Sequence, residues 1–255
     1  MKALILAAGK GTRLKPLTLT TPKAMLPLQG APMLEVILRQ LKSVNVIEAV
    51  IVVGYLKDKI IDYFGDGRQL GMRIEYVVQE KITGSAHAVL AAERFFRDEK
   101  FLCIAADSLF ETEQLSRLLS VKSDGALSVH TVDDGRSYGV ILRNGKYVKD
   151  VIEKSPEPPS NLANTSVYLL PHAVFPACEE IAPGAGGEYQ IVDAIRLLIK
   201  KGLWFEYVPV ETWIDVGTHE RYEEAKEVVK KVIGLSMNKP QSAMIVSNIG
   251  NPSVL

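Results

Sequence analysis

Cysteine is scarce in this sequence, and neither sign of charge is in excess. Only two cysteines occur among the 255 residues, Cys103 and Cys178, so neither a disulfide framework nor a zinc site is indicated. Cys103 lies in the apolar run FLCIAA, where a small buried side chain is expected. The 30 basic residues are balanced by 30 acidic ones, so the composition does not predict a nucleic-acid partner. Any affinity for phosphate must therefore be local.

Long apolar runs and internal repeats are also missing, and we expect no leader segment. No run approaches the length of a transmembrane helix, and the chain opens on strand-like residues without a basic region and a cleavage site. We therefore expect a cytoplasmic protein with no membrane partner. No hexapeptide β-helix pattern occurs. With 47% hydrophobic and 24% charged residues, the composition predicts a compact fold with a sizeable core.

Short apolar runs alternate with helical patterns along the first half of the chain. Segments such as KALILAA, EAVIVVG, RIEYVVQ and FLCIAAD are separated by amphipathic ones such as LKDKIIDYFG. This alternation predicts an α/β fold, with a Rossmann-like, mostly parallel twisted sheet flanked by helices. Because ligands bind beyond the carboxyl ends of such strands, one edge should carry Gly9 to Arg13, Gly54, Gln79 and Asp107.

The pattern changes near Gly125, where the strand candidates become shorter. The pair Asn144-Gly145 predicts a hairpin turn, and we expect an insertion or lid that carries antiparallel strands. Thr218 is placed to cap the amphipathic helix HERYEEAKEVVKKVIG. We expect a single domain over 1–235, made of halves at 1–124 and 125–217 and a C-terminal helix at 218–235, followed by a tail at 236–255.

A glycine-rich basic loop, GKGTR, follows the first predicted strand. Gly9 and Gly11 allow backbone N–H groups to approach an anion closely. Arg13 and Lys23 add charges that suit phosphate oxygens. The loop is not a dinucleotide fingerprint, because Leu14 stands where that motif has its third glycine, and no Gly-Lys-Ser/Thr follows at P-loop spacing. A tight turn with solvated basic residues is the alternative interpretation.

Two aspartates stand at the ends of apolar segments elsewhere in the chain. Asp107 follows FLCIAA, and Asp215 lies in TWIDVG. Alone, each would more often be a turn former. Near a polyphosphate, carboxylates at strand ends are the usual protein ligands of Mg²⁺. The two aspartates are therefore candidate ligands for Mg²⁺ if the fold brings them to the loop.

The order of these motifs resembles that of the sugar-1-phosphate nucleotidylyltransferases. The opening MKALILAAGKGTRLKPLT and PKAMLPLQGAPML is similar to the family's first signature, and QEKITGSAHAV, AADSLF, VIEKSPEPPSNLANTSVYLL, GGEYQIVDAI and WIDVGT follow in the family's order. The resemblance runs from Met1 to about Tyr222 and implies the nucleotide-diphospho-sugar transferase fold. It implies that a sugar 1-phosphate attacks the α-phosphorus of a nucleoside triphosphate and releases pyrophosphate.

The resemblance also implies which residues bind the nucleotide. Arg13 and Lys23 would neutralise the phosphates, and Gln79 and Gly84 match positions that read a pyrimidine, which implies UTP or dTTP. The half at 1–124 would then be the nucleotide-binding half. The implied nucleotide-binding residues are Ala7, Ala8, Gly9, Gly11, Thr12, Arg13, Lys23, Gln79 and Gly84.

The remaining implied residues bind Mg²⁺ and the sugar phosphate, expected to be glucose 1-phosphate. Asp107 and Asp215 would hold the metal, and Lys154 would hold the phosphate of the sugar in the half at 125–217. The catalytic residues implied are Arg13, Lys23, Asp107 and Lys154, because the reaction needs charge neutralisation and no protein nucleophile. The implied sugar-phosphate residues are Asp107, Gly139, Glu153, Lys154, Asn164 and Tyr168.

Departures from the family pattern leave the sugar open. Ser166 stands where the family usually has glycine, and Ser155 interrupts its Glu-Lys-Pro block, and both fall in the implied sugar pocket. Ala106 also replaces a usual glycine, but Asp107 remains at the strand end. N-acetylglucosamine-1-phosphate uridylyltransferase shares these blocks and is an alternative. A catalytically silent subunit that senses a sugar nucleotide is another, although it would not need both metal carboxylates. Glu188 is a further candidate for orienting the site, and the family implies a homo-oligomer.

Overall fold

The elements of the chain follow the alternation that the sequence predicts. A computed structural model describes residues 1–184 and 187–233, so the predicted tail at 236–255 lies outside the described residues. The described strands are β1 (Lys2–Ala7), β2 (Pro27–Leu28), β3 (Ala31–Pro32), β4 (Glu48–Val53), β5 (Arg73–Val78), β6 (Phe101–Ala105), β7 (Ser108–Phe110), β8 (Gly125–Thr131), β9 (Gly139–Asn144), β10 (Tyr147–Glu153), β11 (Leu162–Leu170), β12 (Phe205–Pro209) and β13 (Trp213–Asp215).

Helices separate the strands of the first half and cover the sheet. The described α-helices are α1 (Met33–Ser43), α2 (Lys57–Phe64), α3 (Ser85–Leu90), α4 (Glu113–Ser120), α5 (Val174–Glu180), α6 (Ile191–Lys200) and α7 (His219–Ile233). None of the helices in the described ranges is both long and apolar enough to cross a lipid bilayer.

Nine strands form the main sheet, in the order β5-β4-β1-β6-β11-β8-β12-β10-β9. The strands of the first half, β5, β4, β1 and β6, pair in parallel, which confirms the parallel arrangement predicted for them. Successive residues of β1 face opposite sides, since Leu4 packs in one core cluster while Ala3 and Ile5 pack in another. Both faces of these strands are buried, which explains their near-continuous apolar sequences.

The second half continues this sheet and contains antiparallel pairings, as expected for it. Strand β11 pairs antiparallel with both β6 and β8, and β12 runs parallel to β8. Strand β9 pairs with β10 and also meets β11 at Val140 and Ala163, so these strands close into a ring. The predicted hairpin joins β9 to β10, with Asn144 opposite Tyr147 and Gly145 at a φ of 58°.

The C-terminal helix packs beside the sheet at the edge where the parallel strands end. Thr218 Oγ1 accepts a hydrogen bond from the backbone N–H of Arg221 at 3.3 Å, which confirms the predicted cap. Residues of α7 form a third apolar cluster with Leu14 and Met33. Both cysteines are buried and free, and burial raises the pKa of the Cys103 thiol, as expected of a small core residue.

Candidate active site

The carboxyl ends of the parallel strands bring the glycine loop and two of the predicted polar residues to one edge. The backbone N–H of Gln79 donates to Val53 at 2.8 Å, and that of Ala106 donates to Leu6 at 3.0 Å. These bonds align the ends of β5 and β6 with those of β4 and β1. Gly54 lies against the loop, since a Cβ there would stand 3.0 Å from the carbonyl oxygen of Ala8. The strand-end rule therefore predicted this cluster correctly.

Two adjoining cavities open at this edge. We call one the loop cavity, of about 400 Å³, and the other the strand cavity, of about 450 Å³. Arg13 and Asp107 line both cavities, so they stand at the boundary between them. The predicted residues of the loop cavity are Ala7, Ala8, Gly9, Lys23, Gln79 and Gly84, and those of the strand cavity are Gly139, Glu153, Lys154, Asn164, Tyr168 and Asp215.

Two residues predicted to contact nucleotide, Gly11 and Thr12, lie outside both linings. Gly11 has a φ of 60°, and a Cβ on it would approach Thr18 Cγ2 to 3.0 Å and Lys23 Cβ to 3.1 Å. Thr18 Oγ1 also donates to the Gly11 carbonyl at 2.8 Å. In this structure Gly11 therefore shapes the turn and makes room for Lys23.

Lys23 forms an ion pair across the loop cavity. Its Nζ lies 2.5 Å from Asp107 Oδ2, and its side chain is only 14% exposed. Lys23 is the first residue of a short 3₁₀ turn that follows Pro22. The turn directs the ammonium of Lys23 toward Asp107, just after the end of β6. This lysine therefore supplies a positive charge beside Asp107.

The two predicted metal aspartates are neighbours. Strand β13 pairs antiparallel with β7, which places Asp215 opposite Ser108, and the backbone N–H of Val216 donates to the Asp107 carbonyl at 2.9 Å. Burial, and after it the charge of Asp107, raises the pKa of Asp215. A carboxylate pair of this kind lowers its mutual repulsion by binding a cation.

The donor set fits a hard divalent cation that keeps waters and binds phosphate. Within the described ranges, no group of three or more His, Cys, Asp or Glu side chains is placed to hold a metal. Magnesium needs no such cage, since one or two carboxylates suffice when substrate phosphates and water complete its octahedron. A Cβ on Gly217 would lie 3.1 Å from Asp215 Oδ2 and 3.2 Å from Arg13 Nη2. Gly217 therefore leaves space for both groups.

Polar side chains from β10 and β11, and from Lys154 directly after β10, line the strand cavity. Lys154 Nζ lies 3.5 Å from Glu153 Oε1, and burial raises the pKa of Glu153, against the lowering effect of Lys154. Asn164 Nδ2 donates to the hydroxyl of the buried Tyr168 at 2.7 Å. Gly139 leaves room for the Glu153 carboxylate, since a Cβ there would lie within 3.0 Å of Oε2. These groups suit the hydroxyls and the charge of a sugar phosphate.

A bridge between the two halves was only partly foreseen from sequence. Ser85 Oγ donates to Gln190 Oε1 at 3.0 Å and accepts from the backbone N–H of Ile191 at 2.9 Å. Gln190 Nε2 donates in turn to Glu188 Oε2 at 2.8 Å. Ser85 and Gln190 line both cavities, and Glu188 lines the loop cavity. The motif GGEYQ pointed to Glu188 but not to Gln190.

Arg221 is a second side chain of the strand cavity that sequence reasoning missed. It occupies the first turn of α7, where the Thr218 cap fixes its backbone. Its Nη1 pairs with Glu224 Oε2 at 2.6 Å, whereas its buried Nε has no hydrogen-bond partner among the described residues. The only sequence signal was its position three residues after the capping threonine.

Comparison with known proteins agrees with this geometry. The family model described as nucleotidyl transferase matches residues 2–232. The chain is 38% identical over 234 residues to the UTP–glucose-1-phosphate uridylyltransferase AglF of Haloferax volcanii, covering 89% of this chain and 96% of that protein. It is 38% identical over 220 residues to the bifunctional protein GlmU of Methanococcus maripaludis, covering 85% of this chain but only 51% of GlmU.

A solved structure extends the likeness to the whole fold. A protein of Bacillus anthracis assigned as a glucose-1-phosphate thymidylyltransferase, crystallised with sucrose, superposes with a TM-score of 0.84 at 29% identity. The match covers 94% of this chain and 98% of that one.

Proposed function

The chain belongs to the nucleotidyl transferase family, as a sugar-1-phosphate nucleotidylyltransferase, and we propose that it joins a pyrimidine nucleoside triphosphate to glucose 1-phosphate. The products are a nucleoside-diphospho-glucose and pyrophosphate. The observation that carries this proposal is the shared boundary of the cavities, where Arg13 and Asp107 line both. Two phosphate-bearing substrates in adjoining cavities would meet at these two residues.

The loop cavity takes the nucleoside triphosphate. Gly9 leaves the backbone open to the phosphates, and Arg13 and Lys23 neutralise them. The buried amide of Gln79 donates to the Gly84 carbonyl at 3.2 Å, which holds it at the floor of this cavity. One amide can donate to and accept from a pyrimidine edge, and UTP and dTTP present nearly the same edge.

The strand cavity takes the sugar phosphate. Lys154 binds its phosphate, while Glu153 and Asn164 bind sugar hydroxyls beside Tyr168. The nucleophile is a phosphate oxygen that arrives ionised, so the protein need not remove a proton from it. Two unit charges about 4 Å apart still repel by roughly 4 kcal/mol at an effective dielectric of about 20. Arg13 and Lys154 therefore serve mainly to overcome this repulsion and to align the reacting groups.

Asp107 and Asp215 are the residues that would hold Mg²⁺. When bound, the ion supplies Lewis-acid charge to the reacting phosphates. Lys23, which pairs with Asp107, supplies the second positive charge for the nucleotide phosphates. Arg13, beside Asp215 across Gly217, stabilises the charge that develops on the α-phosphoryl group and on the leaving pyrophosphate.

Pyrophosphate release with Mg²⁺ across a matrix of nucleoside triphosphates and sugar 1-phosphates tests the proposal. We expect the highest kcat/KM for UTP or dTTP with glucose 1-phosphate. N-acetylglucosamine 1-phosphate belongs in the matrix, because the sequence motifs allow it. A preference for a purine nucleotide would refute the base assignment, and no turnover with any pair would favour a sugar-nucleotide sensor.

A further inference from the structure

Two non-glycine residues that line the strand cavity have a left-handed backbone conformation, which glycine adopts without strain. Within the described ranges, five non-glycine residues have positive φ, namely Gln29, Asn45, Leu56, Lys154 and Ser166. Lys154, at 43°, and Ser166, at 60°, both line the strand cavity. The left-handed region costs free energy for any residue with a Cβ. Strain of this kind that gathers in a cleft points to a role for the side chain.

The surrounding structure holds Ser166 in this conformation. The pairing of β11 with β8 is interrupted between Asn164 and Tyr168, which indicates a bulge centred on the intervening residues. Thr165 is fixed there, because its carbonyl accepts from Ser108 Oγ at 2.7 Å and its Oγ1 donates to Ser128 at 3.2 Å. The backbone N–H of Ser166 donates to Asn164 Oδ1 at 3.1 Å. The bulge thus turns Ser166 into the lining of the cavity.

The hydroxyl of Ser166 lies beside that of Tyr168 and hydrogen-bonds with it. Asn164 and Tyr168 already bond each other, and Glu153 pairs with Lys154. A serine hydroxyl can donate one hydrogen bond and accept others at the same time, as a sugar hydroxyl can. A carboxylate can only accept, and an ammonium can only donate.

We propose that Ser166 is a specificity-determining residue whose hydroxyl bonds one hydroxyl group of the sugar 1-phosphate. This inference rests on the proposed function, because it assumes that the strand cavity holds the sugar. It narrows the substrate class to sugars that carry a free hydroxyl at the position facing the bulge. The strain at Ser166 is retained because glycine would remove that contact.

The test uses Ser166→Gly and Ser166→Ala with glucose 1-phosphate and a set of its mono-deoxy analogues. Both variants should raise KM for glucose 1-phosphate by about 3- to 10-fold, the usual effect of one neutral hydrogen bond, without changing KM for the nucleotide. The wild type should discriminate against one deoxy analogue by a similar factor, and both variants should lose that discrimination. Asn45→Gly, at an exposed left-handed residue outside both cavities, is the matched control and should leave all these constants unchanged.

Thermal unfolding separates strain from hydrogen bonding. Ser166→Gly should raise Tm by about 2–4 °C because it relieves the left-handed strain, whereas Ser166→Ala should not. If both variants keep the wild-type pattern across the deoxy analogues, the inference is overturned, even where overall activity falls. Absence of turnover in the wild type with every substrate pair would instead refute the proposed function.

Discussion

Replacing Gly9 by alanine tests whether the glycine loop is shaped for a phosphate. A Cβ built on Gly9 meets no heavy atom within 4 Å, and its φ is not positive. The folded protein therefore has room for the methyl group. Because alanine restricts the unfolded chain more than glycine does, the change should stabilise the protein by about 0.4–1 kcal/mol. For a chain of this length, that gain corresponds to about 1–4 °C in Tm.

The same methyl group should weaken nucleotide binding. Gly9 lines the loop cavity together with Arg13 and Lys23, and the open space around its Cβ is the space proposed for the triphosphate. We expect KM for the nucleotide to rise about 10-fold, equivalent to about 1.4 kcal/mol, with a smaller effect on KM for the sugar phosphate. Stability and binding would then change in opposite directions.

Gly11→Ala is the control for a glycine that shapes the turn. Its positive φ and its contacts with Thr18 and Lys23 should make alanine destabilising by about 1–2 kcal/mol. Thermal unfolding and steady-state kinetics on both variants provide the comparison. If Gly9→Ala raises Tm but leaves KM for the nucleotide unchanged, the loop is an ordinary turn and does not bind the triphosphate.

Other positions give separate tests of the site. Gly139→Ala should push the Glu153 carboxylate aside and raise KM for the sugar phosphate by about 10-fold or more. Tm should change little, since only the end of a flexible side chain must move. An unchanged KM would argue against a contact between Glu153 and the sugar. Asp215→Asn should lower kcat by about 100-fold or more yet raise Tm at pH 7. The pKa of Asp215 is raised in the folded protein, so its negative charge destabilises the fold above that pKa, and this effect is lost as the pH falls through it. A lower Tm for the variant at pH 7 would contradict this. Lys23→Met should tighten Mn²⁺ binding to the protein without nucleotide, because it removes the ammonium from beside Asp107. Electron paramagnetic resonance measures this binding. Weaker binding by the variant would show that Lys23 does not compete with the metal.

Local sequence patterns were sufficient for the first half of the fold. Apolar runs such as Lys2–Ala7 and Glu48–Val53 can be buried on both faces only in a covered parallel sheet. The direction of those strands then fixed which edge would carry Gly9, Gln79 and Asp107. These predictions needed no knowledge of distant contacts.

The second half was harder because its strands pair at long range. The run Leu162–Leu170 reads as an ordinary half-buried strand, yet it pairs with β6 and joins the two halves into one sheet. No periodicity in the sequence of this strand indicates which strands it pairs with. The proximity of Asp215 to Asp107 depends on the short pairing of β13 with β7, so composition and spacing could not supply it. The resemblance to a known family supplied that expectation instead.

Side-chain detail was the least predictable level. The φ and the neighbours of Gly11 show that it shapes the turn, which the sequence did not predict, and its contact with nucleotide stays a prediction. Gln190 was missed because its link to Ser85 spans 105 positions of the chain. Ser166 was recognised from sequence only as a departure from the family pattern. Its strain and its position in the cavity became evident only from the backbone conformation.

In the proposed reaction, a sugar-phosphate oxygen attacks the α-phosphorus at the boundary between the two cavities, where Arg13 and Asp107 lie. The most direct measurement uses glucose 1-phosphate whose phosphoryl oxygens carry a heavy isotope, incubated with the preferred nucleotide and Mg²⁺ and followed by phosphorus NMR and mass spectrometry. All label should be retained in the nucleoside-diphospho-glucose, with a labelled oxygen bridging its two phosphorus atoms, and the pyrophosphate should be unlabelled. An unlabelled bridging oxygen, or label in the pyrophosphate, would contradict the proposed reaction.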